Sequence, residues 1–216
     1  MSTIVLVKED LKKSECRQQL DELRLFLNNV QNTHFSETDI HNFFKDRPQL
    51  VLLMGRVLGV RDPEGYNDEI PILGKYRADF VAASDCKRNW AFVEFEDAYP
   101  NSIFQRKLNQ KTQTYDWSRR FEKGYSQVID WLYQLDVNNN TTNMKAAFGH
   151  QSLNPELYFG ALIIGRDKDL DRGDCRERWE WRRGNTRIDK KLIYCNTFDG
   201  LLDDMESEYS SLVKFS

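Results

Sequence analysis

Residues 73–96 constrain the fold more than any other part of the chain. They contain two apolar stretches, RADFVAA and WAFVEFE, separated by the polar run at residues 84–89. Aromatic and β-branched residues favour strands, and two such stretches around a short polar run are typical of a hairpin. A turn centred between Cys86 and Lys87 places Asp79 directly opposite Glu94.

This register predicts three carboxylates on one face of the hairpin. Opposed residues in an antiparallel pair have Cβ atoms roughly 4.5 to 5.5 Å apart, and Glu96 shares the face of Glu94 because side chains alternate along a strand. Such carboxylates repel unless a proton or a cation intervenes. Either a hard cation such as Mg²⁺ binds Asp79, Glu94 and a backbone carbonyl such as that of Phe95, or the strand simply ends in solvent at Glu96 and Asp97.

Two helices are predicted before the hairpin. The first covers residues 9–30. From Cys16 onward, the spacing of its apolar residues is that of an amphipathic helix. Apolar residues recur there every three or four positions: Cys16, Leu20, Leu23, Leu27 and Val30. This apolar seam either packs in the core or forms a contact between subunits. The second helix begins after Ser36, a favourable N-cap residue, and ends as Pro48 approaches.

The second half of the chain adds a helix and two strands. Residues 103–135 predict a long helix broken near Gly124, and the asparagine-rich run at 138–143 predicts an exposed loop. The uninterrupted apolar run at 158–165 predicts a central strand covered on both faces, and residues 191–195 predict a weaker strand. This order of elements is that of a layered α/β domain.

Composition excludes several classes of protein. The chain is 40% hydrophobic and 30% charged, which is typical of a folded globular domain. Four cysteines without CxxC or Cys/His spacing predict neither a disulfide framework nor a zinc site. The apolar run near the N-terminus is too short for a signal peptide or a membrane span, so we expect a cytoplasmic protein without membrane contact. The net charge of −3 argues against binding polyanions by bulk charge alone.

The carboxylate pattern resembles the metal-binding signature of PD-(D/E)xK nucleases, with Asp79, a spacer, and Glu94-Phe95-Glu96 after an apolar strand. More of the chain resembles the Shedu anti-phage nuclease domain. The matching segments are SETDIHNFFKDRPQLV (36–51), GKYRADFV (74–81), WAFVEFEDA (90–98), GYSQVIDWLYQL (124–135), LYFGALIIGRDKDL (157–170) and YCNTFDGLLDDM (194–205).

The resemblance implies a PD-(D/E)xK restriction-endonuclease-like α/β fold, with a mixed sheet flanked by helices. This nuclease domain would cover residues 33–216, after a strand and helix extension at residues 1–32. The implied activity is that of a metal-dependent DNA endonuclease in a bacterial anti-phage defence system. The implied cofactor is Mg²⁺ or Mn²⁺, and the implied partners are DNA and further copies of the chain in a homo-oligomer.

The resemblance also implies roles for individual residues. Asp79 and Glu94 match the metal ligands, and Glu37 matches the acidic residue on the first helix of the domain that faces the site. Gln127 matches a polar residue that orients the attacking water. Without the resemblance, Glu37 and Gln127 read as plain helix surface. Glu96 departs from the signature, which has a lysine there, although some restriction endonucleases resemble this chain in carrying ExE and remain active.

The missing lysine leaves the function open between two main alternatives. One is an active endonuclease, in which Lys75 or Lys107 supplies the missing cation. The other is a catalytically inactive nuclease-fold module that binds nucleic acid or has a regulatory role. A third alternative is an interaction protein that assembles through the apolar seam and senses DNA ends without cutting them.

A cluster of arginines and tryptophans is the remaining candidate for binding nucleic acid. The cluster consists of Arg176, Arg178, Arg182 and Arg183 with Trp179 and Trp181. These residues either contact phosphates and stack on bases, or pack ring against guanidinium within the fold. His41, on the predicted helix that carries Glu37, either reaches a phosphate or lies on the surface.

Overall fold

The structure is a computed structural model that describes residues 4–29, 34–84, 89–138, 141–142, 148, 157–188 and 191–214. Its centre is a six-stranded mixed sheet with helices on both faces, which confirms the predicted α/β class. Across this sheet the first four strands pair in an antiparallel manner, and the fourth, fifth and sixth are parallel. The strands in spatial order are β1 (Val7–Lys8), β2 (Pro63–Ile72), β3 (Tyr76–Ser84), β4 (Asn89–Phe95), β7 (Leu157–Ile163) and β10 (Tyr194–Asn196).

Strands β3 and β4 form the predicted hairpin in the predicted register. Phe80 pairs with Val93 and Ala83 pairs with Trp90. The turn at residues 85–88 lies outside the described residues. Because Asp79 precedes Phe80 and Glu94 follows Val93, the register brings these two carboxylates to neighbouring positions at one end of the ladder.

Four helices cover the face of the sheet on which Val93 and Phe95 are buried. They are α1 (Lys13–Leu27), α2 (Glu37–Lys45), α3 (Pro48–Val57) and α6 (Phe198–Lys214). The described part of the apolar seam of α1 is buried against α3 and α6, so the seam packs in the core. Helix α2 begins where predicted, with a capping box in which the hydroxyl of Ser36 accepts from the Asp39 N–H and the Asp39 carboxylate accepts from the Ser36 N–H.

Helix α4 (Arg119–Val137) covers the opposite face with α5 and a separate hairpin. Trp90 and Phe92 of β4 are buried on this face, as are Val128 and Trp131 of α4. The other elements on this side are β5 (Phe104–Asn109), β6 (Thr114–Trp117), a 3₁₀ turn (Asp167–Leu170), α5 (Cys175–Asn185), β8 (Arg187–Ile188) and β9 (Lys191–Leu192).

The prediction of a helix at residues 103–135 is wrong for the first part of this range, and the predicted break near Gly124 is also wrong. Residues 104–117 form the β5–β6 hairpin, closed by Phe104 stacked on Trp117 with ring centroids 4.2 Å apart. The helix starts only after Ser118, whose hydroxyl accepts from the Phe121 N–H at 2.9 Å. It then runs through Gly124 without a break.

The predicted strand at residues 191–195 is divided between two sheets. Residues 191–192 pair with β8, and only residues 194–196 join the main sheet beside β7. The apolar run at 158–165 includes most of β7, which lies between β4 and β10 as expected for a central strand. Of the predicted asparagine-rich loop, only Asn138, Thr141 and Thr142 belong to the described residues.

The described helices include none that is both long and apolar enough to cross a membrane. Among the described cysteines, Cys16, Cys175 and Cys195 are free thiols in buried positions. Cys86 lies outside the described residues.

Helix α1 offers a matched test of its role in the core. Leu20 is fully buried, whereas Leu25 on the same helix is 72% exposed. Leu20→Ala should lower the free energy of unfolding by about 2 to 5 kcal/mol because it leaves a cavity. Leu25→Ala should change it by only about 0.5 kcal/mol. Urea unfolding followed by circular dichroism measures both, and equal stabilities would show that α1 does not belong to the core.

Candidate active site

The candidate site lies where β3 and β4 end their pairing, on the face covered by α4. The Phe95 N–H donates to Oδ2 of Asp79 at 2.6 Å, which fixes the Asp79 carboxylate against the end of β4. Glu94 precedes Phe95. Its side chain faces α4, because alternate residues of a strand share one face and Trp90 and Phe92 are buried on the α4 side. Two acidic side chains from adjacent strands therefore meet at one point of the sheet.

Glu94 is buried beneath α4. Its Oε1 accepts a hydrogen bond of 2.7 Å from Nε2 of Gln127, whereas its Oε2 is buried without a hydrogen-bond partner among the described residues. Burial raises the pKa of Glu94 well above its ordinary value, and the neighbouring Asp79, Glu96 and Glu37 raise this pKa further. In the absence of a cation, these effects favour the protonated form of the Glu94 carboxyl.

Asp79 is also affected by burial and by other acidic groups. Burial raises its pKa, the Phe95 N–H opposes this shift, and Glu37 and Glu96 add to it. Glu37, the first residue of α2, is exposed at the rim. Asp79 and Glu37 line a pocket of about 300 Å³ together with His41, whose buried Nε2 has no partner in the described part of the chain.

Glu96 differs from Glu94 because it has a cationic partner. Nη1 of Arg120 donates to Oε2 of Glu96 at 2.9 Å, and Nε of the same guanidinium lies 3.0 Å from Oδ2 of Asp97. Burial raises the pKa of Glu96, and Arg120 opposes the shift. Both carboxylates are buried, so the strand does not end in solvent at Glu96 and Asp97 as the alternative interpretation expected.

Gly124 allows α4 to approach this part of the sheet. A Cβ atom at Gly124 would lie 2.9 Å from Cδ1 of Leu162 and 3.2 Å from Cγ of Glu96, so both neighbouring side chains would have to shift to accommodate it. The glycine that was expected to break the helix is therefore the residue that lets the helix pack on β7 and β4. This close approach brings Arg120 and Gln127, on either side of Gly124, to Glu96 and Glu94.

The structure brings four of the five predicted catalytic residues into one cluster and leaves the fifth at its rim. Asp79, Glu94, Glu96 and Gln127 form the cluster, and Glu37 is the residue at the rim. Their catalytic roles stay predictions.

Sequence reasoning missed the cations on α4 that influence the cluster. Arg120 binds Glu96, and the positive charge of Lys123 lowers the pKa of both Glu94 and Glu96. The signal was the capping residue Ser118, which places both cations in the first turns of α4. Lys75 and Lys107, the predicted sources of a cation, are exposed and form no ion pair within the described ranges.

The arginines of α5 form hydrogen bonds with other residues of the chain. Arg182 binds the carboxylate of Glu122 through two hydrogen bonds of 2.6 and 2.9 Å and lies over the rings of Trp117, Phe121 and Tyr125. This is the ring-on-guanidinium packing that was one of the two alternatives. The other three arginines also have internal acceptors: Arg176 binds Asp171, Arg178 binds the Tyr115 carbonyl, and Arg183 binds Asn196. Their predicted contact with nucleic acid stays a prediction.

The donor set at Asp79 and Glu94 fits a hard divalent cation. Within the residues that the structure describes, no three His, Cys, Asp or Glu side chains are already arranged around a metal position. Asp79 nevertheless lies close enough to raise the pKa of Glu94, and one buried oxygen of Glu94 lacks a hydrogen-bond partner among the described residues. Mg²⁺ and Mn²⁺ prefer oxygen ligands, and Mg²⁺ usually binds through one or two carboxylates while keeping several waters.

Fold and site define the chain as a mixed α/β domain with a buried acidic cluster at the end of a central hairpin. A family comparison makes the assignment more specific, because the family described as Shedu protein SduA, C-terminal, matches residues 34–202. The match covers more than half of the chain, so the chain belongs to this family. Membership indicates a bacterial anti-phage defence protein. No curated protein matches the chain.

The acidic cluster predicts how the stability of the metal-free protein depends on pH. Because the folded-state pKa is raised to about 7 for Asp79 and to about 10 for Glu94, the folded state binds more protons than the unfolded chain from about pH 4 up to those values. The free energy of unfolding should therefore fall as the pH rises, by up to about 1.4 kcal/mol per pH unit for each retained proton. Glu94→Gln should flatten this dependence and make the protein more stable than the wild type near pH 8.

Urea unfolding in EDTA between about pH 5 and pH 8 tests this. The control is Glu64→Gln, which changes an exposed carboxylate on β2 and should leave the pH dependence unaltered. A Glu94→Gln variant with the same pH dependence as the wild type would show that Glu94 is ionised in the metal-free protein.

Proposed function

We propose that the protein is a metal-dependent endonuclease that hydrolyses phosphodiester bonds of DNA in the cytoplasm as part of anti-phage defence. The proposed fold is that of PD-(D/E)xK nucleases, and the proposed assembly is a homo-oligomer. The observation that carries the proposal is the pair of Asp79, which is partly buried, and Glu94, which is buried. One oxygen of Glu94 lacks a hydrogen-bond partner in the described structure, and the pKa values of both residues are raised. Membership of the Shedu family supports the same activity.

Asp79 and Glu94 would hold Mg²⁺ or Mn²⁺, together with a backbone carbonyl. The carbonyl of Phe95 is the candidate. The N–H of Phe95 points toward Asp79, and the N–H and C=O of a residue in a strand point toward the same neighbouring strand. When bound, such an ion lowers the pKa of a coordinated water and balances charge on the phosphate.

The residues of the chain orient these groups. Gln127 fixes one oxygen of Glu94 and leaves the other oxygen free to bind a cation. Glu96 lies on the same strand face and can accept a proton from the attacking water, because a carboxylate with a raised pKa is a better base near neutral pH. Arg120 places a positive charge beside Glu96, close to the position where the PD-(D/E)xK signature has lysine.

One observation favours the second candidate, an inactive module that binds DNA. Arg120 is shared between the carboxylates of Glu96 and Asp97, so its charge is already compensated inside the protein. A cation held in this way stabilises a developing negative charge less than a free lysine does. In the inactive module, the acidic cluster would bind a cation without cutting DNA.

A cleavage assay on linear and circular DNA, with Mg²⁺ or Mn²⁺ and an EDTA control, tests the proposed function. Asp79→Asn and Glu94→Gln should each reduce the rate by at least about 10³-fold, because the ion contributes several kcal/mol of charge stabilisation. Both variants should also lose the thermal stabilisation that Mn²⁺ gives the wild type. Glu64→Gln serves as the control with an exposed carboxylate removed. Unaltered cleavage by both site variants would remove this site from consideration.

Glu96 and Arg120 should act as a unit. Glu96→Gln should slow cleavage by at least about 10²-fold, the lower end of general-base contributions. Arg120→Ala should slow cleavage as well, and the double variant should be no slower than the slower single variant because the two residues are in contact. Single-turnover rates at saturating DNA measure this.

The matched control for the arginine is Arg61→Ala, which removes an exposed cation remote from the cluster. Strictly additive effects of Glu96→Gln and Arg120→Ala would contradict the coupling. If the wild type cuts no faster than its EDTA control while Glu96→Lys cuts, the inactive module is the correct alternative.

A further inference from the structure

A cleft of about 600 Å³ opens at the N-terminus of α4, beside the acidic cluster. One wall is the start of the helix, with Ser118, Arg119 and Arg120. The other wall is strand β5, with Gln105, Arg106 and Lys107. Four of these six side chains are cationic, which makes the cleft strongly basic in a chain with a net charge of −3.

A backbone irregularity turns consecutive side chains of β5 into the cleft. In a regular strand, Arg106 and Lys107 would point to opposite faces. The pairing of β5 with β6 shifts register between Phe104 and Leu108, and residues 105–107 are all exposed. Bulges of this kind re-aim side chains and are common beside functional sites.

Three of the cations are free to bind a ligand. Arg106, Lys107 and Arg119 are exposed and form no ion pair with any residue that the structure describes. The arginines of α5 differ in this respect, because Arg176 and Arg182 already bind carboxylates. Unpaired cations gathered around one concave surface suit a ligand with several negative charges.

The helix adds donors and a fixed partial charge to the same place. Helix α4 has 19 residues, so its N-terminus carries the positive end of a long macrodipole. The hydroxyl of Ser118 is already engaged, since it donates to the Ser102 carbonyl and accepts from the Phe121 N–H. The backbone N–H groups of the first turn are the donors that helix termini offer to phosphate.

Arg120 connects the cleft to the acidic cluster. Its side chain lines the cleft, and its guanidinium contacts Glu96 and Asp97. A polyanion bound in the cleft would therefore continue toward Glu94 and Asp79. Phe104 stacked on Trp117 ties the β5 wall to β6, so both walls are held by the core.

We propose that this cleft binds consecutive phosphates of a DNA strand through Arg106, Lys107 and Arg119 and directs the strand to the acidic cluster. The inference rests on the proposed function for the identity of the substrate. Phosphates of one DNA strand follow each other at about 3.4 Å along the axis of the duplex. Adjacent cations on β5 can match this spacing. Recognition through the backbone makes this binding independent of sequence.

The test is the affinity of the full chain for a short fluorescein-labelled DNA duplex, measured by anisotropy in EDTA between about 50 and 200 mM salt. The double variant Arg106→Glu/Lys107→Glu should bind at least about tenfold more weakly. Its plot of log affinity against log salt concentration should be shallower by about 2, because each lost phosphate contact contributes about 0.9. Arg106→Gln/Lys107→Gln should show the same direction, and it serves as the second variant if charge reversal impairs folding.

The matched control is Arg61→Glu/Lys214→Glu, which makes the same change in net charge at exposed positions outside the cleft. This control should bind DNA like the wild type. A cleft variant that binds like the wild type, or a control that is weakened equally, would overturn the inference. A wild type that does not bind DNA would overturn the inference and the proposed function together.

The cleavage site is tested separately. Asp79→Asn should bind the duplex like the wild type while losing cleavage, because it leaves the cleft intact. A wild type that binds through the cleft but does not cut in Mg²⁺ or Mn²⁺ contradicts the proposed nuclease activity and leaves the cleft assignment standing.

Discussion

Repulsion between two carboxylates on neighbouring strands, the partly buried Asp79 and the buried Glu94, is the constraint on which the chemistry of this site depends. Burial raises the pKa of each group; the charge of Asp79 raises the pKa of Glu94 further, and Glu37 and Glu96 raise that of Asp79. Such a pair costs stability unless a proton or a cation neutralises it. A cation bound between the two carboxylates would relieve their repulsion. The proposed metal-dependent function is based on this electrostatic effect.

The surrounding strands and helix α4 fix the positions of these carboxylates. The register of β3 and β4 fixes the backbone positions of both residues, and the Phe95 N–H fixes the Asp79 side chain. Gly124 lets α4 pack closely enough for Gln127 to bind Glu94 and for Arg120 to bind Glu96. The same helix start that delivers Arg120 forms one wall of the basic cleft. One helix thus serves the acidic cluster and the adjoining cationic surface.

The sequence predicted the hairpin and its carboxylates because their determinants are local. Alternation along two strands and a short polar turn are enough to set the register that Phe80 and Val93 show. The partners of those carboxylates were predicted less completely, because they come from a helix whose start was misplaced. The stack of Phe104 on Trp117, thirteen positions apart in the sequence, closes the hairpin that takes the place of the first part of the predicted helix.

Other parts of the fold depend on tertiary contacts that no local pattern encodes. Helix α3 was not predicted, since residues 49–55 are buried on all sides and show no amphipathic period. For the α5 arginines the sequence left packing within the fold and contact with nucleic acid as alternatives, because the partner of Arg182, Glu122, lies sixty positions away in sequence. Long-range pairing of this kind decides whether an arginine cluster is part of the core or a binding surface.

Calorimetric titration of the protein with Mn²⁺ near pH 7, in buffers with different ionisation enthalpies, measures whether a cation replaces protons at Asp79 and Glu94. If Asp79 and Glu94 hold protons that a cation replaces, binding should release protons, and the observed heat should vary with the buffer. Glu94→Gln should abolish both the binding and the proton release. Mn²⁺ binding that releases no protons, or that is unchanged in Glu94→Gln, would contradict the account.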